Sequence, residues 1–362
     1  MFNSLLYSHL YRWYESNRRV LPWRETENAY FIWLSEVILQ QTRVSQGMEY
    51  YLRFVSRWPT VEELARADES EVLRAWQGLG YYSRARNLHK AAQMIVERGW
   101  SPFPTRYEDI RSLPGIGDYT AGAIASFAYD QAYPAMDGNV YRVIARLFDI
   151  DEPFDTTSGK KLFREKLEGL LDREHPRLFN SAIMEFGALQ CTPDTQCPPC
   201  PLKEFCLSYA HGTSELLPVR KPRPKLRDRW LTYYVYVQRD KGQGTKDIVL
   251  IRRRENPKDI WYHLYEFPCE ESNSPGTVQQ QATPGSYNTS DLTAKRSYNA
   301  AVYPFTHTLS HQRLHARVII KKVEELPAIE GAVAVSWSDL DDFALSRLTL
   351  RVIDTVKPKL RE

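Results

Sequence analysis

Four cysteines, Cys191, Cys197, Cys200 and Cys206, lie within sixteen residues at the spacing C-x5-C-x2-C-x5-C. Four thiols this close along a chain predict that the backbone folds around one metal site, because thiolates bind zinc and iron–sulfur clusters. The spacing alone leaves zinc and a 4Fe-4S cluster both open. Cys269 lies far along the chain, and its isolation is more typical of a buried apolar residue than of a ligand.

The length of 362 residues allows two or three domains, and the net charge of +3 permits a nucleic-acid partner without requiring one. Apolar residues at helical spacing begin at Phe2, so we expect no transit peptide. No apolar run approaches the ~20 residues of a membrane span. Five cysteines do not suggest a secreted disulfide framework. We therefore expect a cytoplasmic protein, nucleoid-associated if bacterial.

The stretch from Leu113 to Asp137 combines a possible anion site with a carboxylate. Its segment Pro114–Gly117 is predicted to form a tight turn, because its two glycines permit close approach and positive φ. The helix predicted to follow adds a partial positive charge beside the turn. Asp137 directly precedes the next predicted helix, NVYRVIARLF. An ordinary corner between helices remains the alternative interpretation, since a lone Gly-x-Gly is a weak signal.

A strongly apolar helix is predicted from Tyr30, over YFIWLSEVILQQTRV. Glu36, Gln40 and Arg43 are spaced to form one polar stripe on it. Periodicity alone favours an exposed surface for this stripe. Further on, the segment Gly78–Arg86 places glycines beside two tyrosines and two arginines, which suits a loop that approaches DNA; a helix start packed by the tyrosines fits equally well.

Residues 217–229 have the composition of a basic, proline-rich linker, which serves either as a solvated spacer or as a phosphate contact. Strands are predicted after it at LTYYVYVQR, DIVLIRRR, LYEFP, LHARVIIKKV and AVAVSW, followed by a helix near LSRLTLRVIDTV. Residues 271–295 are rich in Ser, Gln, Pro, Gly and Thr and are predicted to form a mobile loop. The C-terminal part is therefore predicted to be an α+β domain.

The strings SEVILQQT, LPGIGDYTAG and MDGNVYRV, together with the four cysteines, resemble the adenine DNA glycosylase (MutY) branch of the endonuclease III superfamily. The resemblance covers essentially the whole chain. It implies a multidomain protein, with an all-α helix-hairpin-helix glycosylase region over 1–216 and a Nudix-like α+β domain over 230–362. The first region would divide into a six-helix module at about 22–130 and a cluster module of 1–21 plus 131–216.

The implied cofactor is a 4Fe-4S cluster on the four cysteines, although the first gap of five residues is one shorter than is usual in the family. The implied activity is that of a monofunctional glycosylase, which excises adenine opposite 8-oxoguanine or guanine and leaves an abasic site. Glu36 would be the catalytic acid and Asp137 would stabilise the cationic sugar, while Tyr119 and Asn139 would place charge and water. The implied partner is double-stranded DNA, bound by a monomer.

The resemblance also implies DNA contacts, with Tyr81 as a wedge in the base stack. The other implied contacts are Arg24, Gln40, Gln41, Leu113, Gly115 and Gly117. In the family a Phe-Ser-His loop recognises 8-oxoguanine, and here the matching residues are Leu309, Ser310 and His311. Without the resemblance, His307, His311 and His315 are best interpreted as polar strand positions.

Two departures and one missing element refine the expected activity. Leu309 replaces the aromatic residue of the lesion-reading loop, and Ser181 stands where relatives often carry Glu or Gln. The stretch from Phe267 to Ala300 supplies no glutamate-rich, magnesium-binding helix of an active Nudix enzyme, so we do not expect Nudix hydrolase activity.

Two alternative functions are weighed against this one. An endonuclease III-like glycosylase and AP lyase would carry a lysine nucleophile where this chain has Tyr119. A noncatalytic DNA-binding protein with a structural metal cluster is disfavoured by Glu36 and Asp137, but only through the resemblance.

Overall fold

A computed structural model describes residues 2–222, 225–239, 247–272, 274 and 302–360. The chain divides into two compact units, one of Met1–Ala67 with Arg84–Pro222 and one of Asp68–Ser83 with Arg223–Glu362. Most of the loop predicted at 271–295, and most of the stretch 267–300 that we searched for a magnesium-binding helix, lie outside the described residues. Within the described ranges, no helix is long and apolar enough to cross a membrane.

The first two hundred residues are largely helical, as predicted. The helices are α1 (Phe2–Asn17), α2 (Ala29–Leu39), α3 (Val44–Arg57), α4 (Val61–Arg66), α5 (Glu69–Ala75), α6 (Ser83–Glu97), α7 (Tyr107–Ser112), α8 (Asp118–Tyr129), α9 (Gly138–Leu147), α10 (Thr157–Leu170), α11 (Pro176–Leu189) and α12 (Leu207–His211). Of these, α5 belongs to the second unit.

Helix α2 crosses the interior of the first unit. Asn28 caps its start by accepting hydrogen bonds from the amides of Tyr30 and Phe31 at 2.9 and 3.4 Å. Trp33 and Leu34 are fully buried, and Trp33 packs on Phe103 with ring centroids 5.3 Å apart. This apolar packing holds the helix in the core, so a polar side chain on it is placed in a buried environment.

The prediction that this helix continues through Gln40 to Val44 is wrong. The helix ends at Leu39, and Gln41 has a left-handed φ of 55°. Arg84 stabilises the end, because its Nη1 donates to the carbonyls of Val37, Ile38 and Gln40 at 3.0, 3.0 and 2.5 Å. Arg43 instead precedes α3 as its N-cap. The predicted stripe is therefore broken after Glu36.

A second core in the first unit joins the two ends of its sequence. Helix α1 packs against α11, and α11 packs against α9, around Leu10, Ile144, Phe163 and Phe179, all of which are fully buried. Tyr7 donates to the carbonyl of Leu170 at 2.9 Å. The N-terminal helix is thus an integral part of this core.

Seven strands among the described residues of the second unit form one mixed sheet. They are β1 (Arg227–Arg239), β2 (Asp247–Arg253), β3 (Tyr265–Glu266), β4 (Cys269–Ser272), β5 (Val302–Thr308), β6 (Gln312–Val323) and β7 (Ala332–Ser336). The main order is β3-β2-β1-β6-β5, with β4 beside β1 and β7 beside β2. Only β1 and β6 run parallel among these strand pairs.

Strand β1 follows a two-residue alternation, with Leu231, Tyr233, Val235 and Val237 buried. It begins at Arg227, inside the stretch expected to be linker. The sequence did not predict β4 and β5. Helix α13 (Arg347–Val356) follows, capped by Ser346, whose side chain accepts from the amide of Thr349 at 3.0 Å. The predicted order of a helical part followed by an α+β part is confirmed.

Candidate active site

A cavity of about 800 Å³ opens in the first unit and brings together all four predicted catalytic residues. Glu36 comes from α2 and Tyr119 from the start of α8, while Asp137 and Asn139 stand at the start of α9. The wall also includes Arg24, Gln40, Gln41 and Ser181. Residues far apart in sequence therefore converge on one space.

Glu36 is a buried acid, with only 9% of its surface exposed. Burial raises the pKa of Glu36 to about 7, and the charge of Asp137 acts in the same direction. A hydrogen bond from the Tyr119 hydroxyl to Glu36 Oε2, 2.7 Å long, and the charge of Arg24 oppose that rise. At neutral pH a substantial fraction of this carboxyl therefore carries a proton.

Asp137 has the opposite hydrogen-bonding environment. It is the N-cap of α9, and its Oδ1 accepts from the amides of Asn139 and Val140 at 2.9 and 2.8 Å. Its Oδ2 accepts from Asn139 Nδ2 at 2.9 Å. Burial raises the pKa of Asp137 above its usual range, although these bonds and the charge of Arg142 oppose the rise. Because the three partners are all N–H donors, and the helix N-terminus favours negative charge, we assign the ionised form to Asp137.

Two further side chains hold groups on either side of Asp137, one the backbone before it and the other the side chain of Asn139. Asn180, which is fully buried on α11, accepts from the amide of Ala135 at 3.0 Å and donates to the carbonyl of Tyr133 at 2.9 Å. Arg142 donates to Asn139 Oδ1 at 2.9 Å. Neither residue was predicted from the sequence, although Asn180 is a polar residue in an apolar helix, which is the signal that points to it.

An ion-pair network lies beside the cavity and was not predicted. Glu185 on α11 is fully buried and accepts from Arg19 and from Arg24, with its Oε2 at 2.6 and 2.8 Å from their Nη2 atoms. These hydrogen bonds outweigh burial and lower the pKa of Glu185 to about 2. The signal in the sequence is a single carboxylate among the apolar residues of IMEFGALQ.

Arg24 is therefore held by a partner in the protein. Its Nη2 pairs with Glu185, whereas its Nη1 is buried and has no hydrogen-bond partner within the described ranges. A buried unpaired donor is costly unless a ligand satisfies it. Because Arg24 lines the cavity, this N–H is available to a ligand that enters there.

Gln40 and Gln41 also line the cavity but face different environments. Gln40 is the C-cap of α2, and its side-chain amide Nε2 donates to Thr120 Oγ1 at 3.2 Å. Gln41 is exposed and has a left-handed backbone. The early end of α2 thus places two neutral amides at the mouth of the cavity.

The predicted hairpin turn joins α7 to α8. Gly115 has a φ of 78°, and a Cβ there would lie 2.8 Å from Asn87 Cβ, so glycine is required. Gly117 has an ordinary φ of −95°, and a Cβ there would meet nothing within 4 Å. Leu113 is buried, so its side chain packs in the core.

Four of the predicted site residues belong to the second unit. Tyr81 has a left-handed φ of 47° and is 43% exposed. Leu309, Ser310 and His311 form the turn between β5 and β6, where Ser310 and His311 are exposed. Ser310 Oγ lies 3.2 Å from His311 Nδ1.

The four clustered cysteines converge on one small cavity of the first unit. Its wall also contains Val143, Leu147, Phe186 and Leu202, so it is largely apolar. Burial raises the pKa of Cys200 to about 12, and the other three thiols add to the rise. Within the described ranges, no three His, Cys, Asp or Glu side chains are grouped closely enough to hold a single metal ion.

Helix α9 links the cysteine loop to the active-site cavity. Arg142 donates to the carbonyl of Cys191 at 2.7 Å as well as to Asn139. One turn later, Arg146 donates to the carbonyls of Thr192 and Ser214 at 2.6 and 2.9 Å. The same helix therefore holds the cysteine loop at one side and begins at Asp137.

Comparison with known proteins identifies the family. The profile of the HhH-GPD superfamily base excision DNA repair protein matches residues 34–172, and that of the NUDIX domain matches residues 233–355. An adenine DNA glycosylase of Buchnera aphidicola subsp. Baizongia pistaciae is 33% identical over 346 residues, covering 94% of this chain and 93% of that protein. The chain belongs to the adenine DNA glycosylase family. The predicted family is thereby confirmed.

Other relatives extend the comparison. The mouse adenine DNA glycosylase is 36% identical over 287 residues, which cover 76% of this chain and 53% of the mouse protein. The chain thus spans about half the length of that mammalian relative. A thermostable thymine-DNA glycosylase of known structure is 26% identical with a TM-score of 0.54, covering 58% of this chain and 97% of that one.

These matches confirm the predicted fold class, a helix-hairpin-helix glycosylase core followed by a Nudix-like domain. Glycosylases are hydrolases of N-glycosidic bonds, and the predicted enzyme class follows from the family. The family also supports DNA as the partner. The roles of individual residues rest on the geometry of the site.

Proposed function

We propose that the chain excises adenine from DNA by acid-assisted hydrolysis of the N-glycosidic bond. The observation that carries the proposal is the pair of carboxyl groups in one cavity, Glu36 and Asp137, whose environments favour opposite protonation states. Such a division of roles is what glycoside hydrolysis requires.

Glu36 serves as the acid in this proposal. Adenine is a poor leaving group until it is protonated, and a carboxyl with a pKa near 7 can hold and donate a proton at neutral pH. We assign N7 of the base as the acceptor. Once the base has left, the resulting carboxylate can accept a proton from the attacking water.

Asp137 faces the deoxyribose, which becomes cationic as the base departs. An ionised carboxylate stabilises an oxocarbenium-like charge, and the bonds from Asn139 and Val140 hold its oxygens in place. Tyr119 orients Glu36 through its hydroxyl. Because Tyr119 stands where a bifunctional enzyme has lysine, we propose a monofunctional reaction that leaves an abasic site.

The target nucleotide must leave the double helix to reach this cavity. We propose that the turn at Gly115 and Gly117 holds a DNA phosphate with backbone amides, since a Cβ at Gly117 would face open space. Gln40, Gln41 and the unpaired Nη1 of Arg24 face the entering strand or base. The protein would bind double-stranded DNA as a monomer.

Recognition of the opposite base is assigned to residues 230–362, with catalysis in 1–216 and residues 217–229 between them. Ser310 and His311 are exposed at a turn and can hydrogen-bond with 8-oxoguanine. Tyr81 would insert into the base stack as a wedge. Adenine opposite 8-oxoguanine or guanine is the proposed substrate.

We propose that Cys191, Cys197, Cys200 and Cys206 hold a 4Fe-4S cluster. A zinc ion would need all four sulfurs at about 2.3 Å from one point. A 4Fe-4S cluster binds each of four sulfurs to a different iron, and all four cysteines line one cavity. The apolar wall and the donors of Arg142 and Arg146 fit such a group.

The test of the proposed reaction is release of adenine from duplexes that pair it with 8-oxoguanine, guanine or cytosine. Strand breaks scored before and after alkali separate base excision from lyase activity. The proposal expects breaks only after alkali, and fastest release opposite 8-oxoguanine. No release from any duplex would contradict it. Iron and sulfide determination on the purified protein, compared with zinc determination, tests the cluster.

A further inference from the structure

The short segment Asp68–Ser83, which carries Tyr81, belongs to the same compact unit as the C-terminal sheet. We propose that the backbone of Leu345 holds this segment, so that recognition of the base opposite adenine is mechanically linked to insertion of Tyr81. The inference rests on the proposed function, because it uses the wedge role of Tyr81 and the reading role of Ser310 and His311.

Both polar groups of the Leu345 backbone are bound by side chains from the segment. The amide of Leu345 donates to Gln77 Oε1 at 2.9 Å, and the Tyr82 hydroxyl donates to the carbonyl of Leu345 at 2.9 Å. We call these three residues the clasp. Leu345 is fully buried and Tyr82 is 2% exposed, so water does not compete readily for these bonds.

Leu345 is itself fixed in the C-terminal domain. It forms a parallel bridge with Tyr265, whose amide donates to the carbonyl of Ala344 at 2.8 Å. The next residue, Ser346, caps α13. Leu345 is thus held between β3 and a helix start, and the clasp ties the segment to a rigid part of the domain.

The clasp binds the loop on both sides of Tyr81, since Gln77 precedes Tyr81 and Tyr82 follows it. Within the loop, the indole nitrogen of Trp76 donates to the carbonyl of Gly80 at 3.0 Å. Tyr81 has a φ of 47°, which disfavours a residue with a bulky side chain. The surrounding bonds must hold this conformation, which presents the Tyr81 ring at the surface.

Other links join the segment to the domain farther from Tyr81 along the chain. Glu69 is bonded to His263 and lies 3.8 Å from Arg253, while Arg74 lies 3.3 Å from Asp342. The Arg74 pair is exposed, and exposed ion pairs contribute little. Gln77 and Tyr82 are the clasp residues nearest Tyr81 in sequence, so we expect their removal to change the Tyr81 loop most.

This arrangement places the wedge and the reading turn in one unit, whereas Glu36 and Asp137 belong to the other. A domain seated on 8-oxoguanine would present Tyr81 to the stack through the clasp. Loosening the clasp should therefore reduce discrimination between opposite bases and leave the bond-breaking step intact.

The test variant is Tyr82→Phe, which keeps the ring and removes the hydroxyl, with its bond to the Leu345 carbonyl and the 3.4 Å bond that it accepts from the amide of Gly78. Gln77→Ala, which leaves the Gly78 bond in place, separates the two contributions. The matched control is Tyr234→Phe, which removes a tyrosine bond to Glu270 of 2.9 Å on strand β1 of the same unit. The ratio of single-turnover rates opposite 8-oxoguanine and opposite guanine should fall about fivefold in Tyr82→Phe, the value of one hydrogen bond, and remain native in the control.

Hydrogen exchange of the peptide at 76–83, measured without DNA, should accelerate in Tyr82→Phe and not in Tyr234→Phe. Gln77→Ala removes the other half of the clasp and should act in the same direction if Tyr82→Phe fails to fold. Unchanged exchange, or equal rate losses opposite both bases, would overturn the inference. Absence of adenine excision by the native protein would instead overturn the proposed function, and the exchange experiment would still decide the clasp.

Discussion

The hydroxyl of Tyr119 donates to Glu36 Oε2 over 2.7 Å, joining the start of α8 to the middle of α2. The bond lowers the pKa of Glu36, whereas burial raises it to about 7. Burial and the nearby carboxylates also raise the pKa of Tyr119 itself, so its hydroxyl remains a donor. The pKa of the proposed acid is thus set by opposing effects, and a single substitution removes the Tyr119 hydrogen bond.

Tyr119→Phe should raise the pKa of Glu36 above about 7, because the hydrogen bond is lost while burial remains. The rate of single-turnover excision falls as Glu36 loses its proton, so this fall should shift to higher pH in the variant. Tyr129→Phe, on the same helix, is the control, since the Tyr129 hydroxyl donates to the Phe103 carbonyl at 3.5 Å rather than to Glu36. A pH profile that keeps its native position would contradict this account.

The raised pKa of Glu36 also predicts a cost in stability. Between the ordinary pKa of a glutamate and about pH 7, the folded protein keeps this proton while the unfolded chain releases it. The free energy of unfolding therefore falls as pH rises through that window. The loss is on the order of 3 kcal/mol. The free energy of unfolding of Glu36→Gln, relative to that of the native protein, should therefore be higher at pH 8 than at pH 5. Urea denaturation at both values measures this, and an equal difference at both would count against the assigned pKa.

Glu185→Gln should leave Arg19 and Arg24 without a buried counter-charge. Removing one partner of such a network costs about 3–5 kcal/mol of unfolding free energy. The uncompensated Arg24 should also lower the pKa of Glu36 and shift the fall in rate to lower pH. Glu168→Gln, which removes an exposed partner of Arg164, should change neither quantity by much. A pH profile unmoved in Glu185→Gln would show that Arg24 does not act on Glu36.

How much of this could be predicted from sequence depends on whether the signal was local. The role of Asp137 as a helix cap could be predicted, because it directly precedes a helix with periodic apolar residues. The close spacing of the four cysteines likewise predicts that they share one cavity. The end of α2 could not be predicted, because it is stabilised by Arg84, which lies 47 residues after Val37 in the chain. The end of this helix is set by tertiary contacts, which the helix propensities of its own residues do not encode.

Distance along the chain also explains two other failures. Glu185 is held by Arg19, more than 160 residues earlier, so only its isolation among apolar residues hinted at a role. The Tyr81 loop was interpreted by its own glycines and tyrosines, while its clasp partner Leu345 is an ordinary leucine whose backbone makes the contact. Backbone contacts leave no mark on residue identity.

Substitution of both Ser310 and His311 by alanine should reduce the preference for adenine opposite 8-oxoguanine over adenine opposite guanine. Both side chains are exposed at the turn between β5 and β6, so the fold should tolerate the change. Loss of one or two hydrogen bonds predicts a fall of roughly five- to thirtyfold in the ratio of rates. Ser338→Ala, in the 3-10 segment Trp337–Asp342, is the control. Equal losses opposite both bases would argue against a lesion-reading turn.

The central claim is that Glu36 donates the proton that releases adenine, and single-turnover excision by Glu36→Gln tests it most directly. Glutamine keeps the shape and the acceptor for Tyr119 but cannot serve as the acid. Measured opposite 8-oxoguanine at saturating protein, the rate should fall ~10²-fold or more while DNA binding is retained. Excision at the native rate by Glu36→Gln would contradict the account.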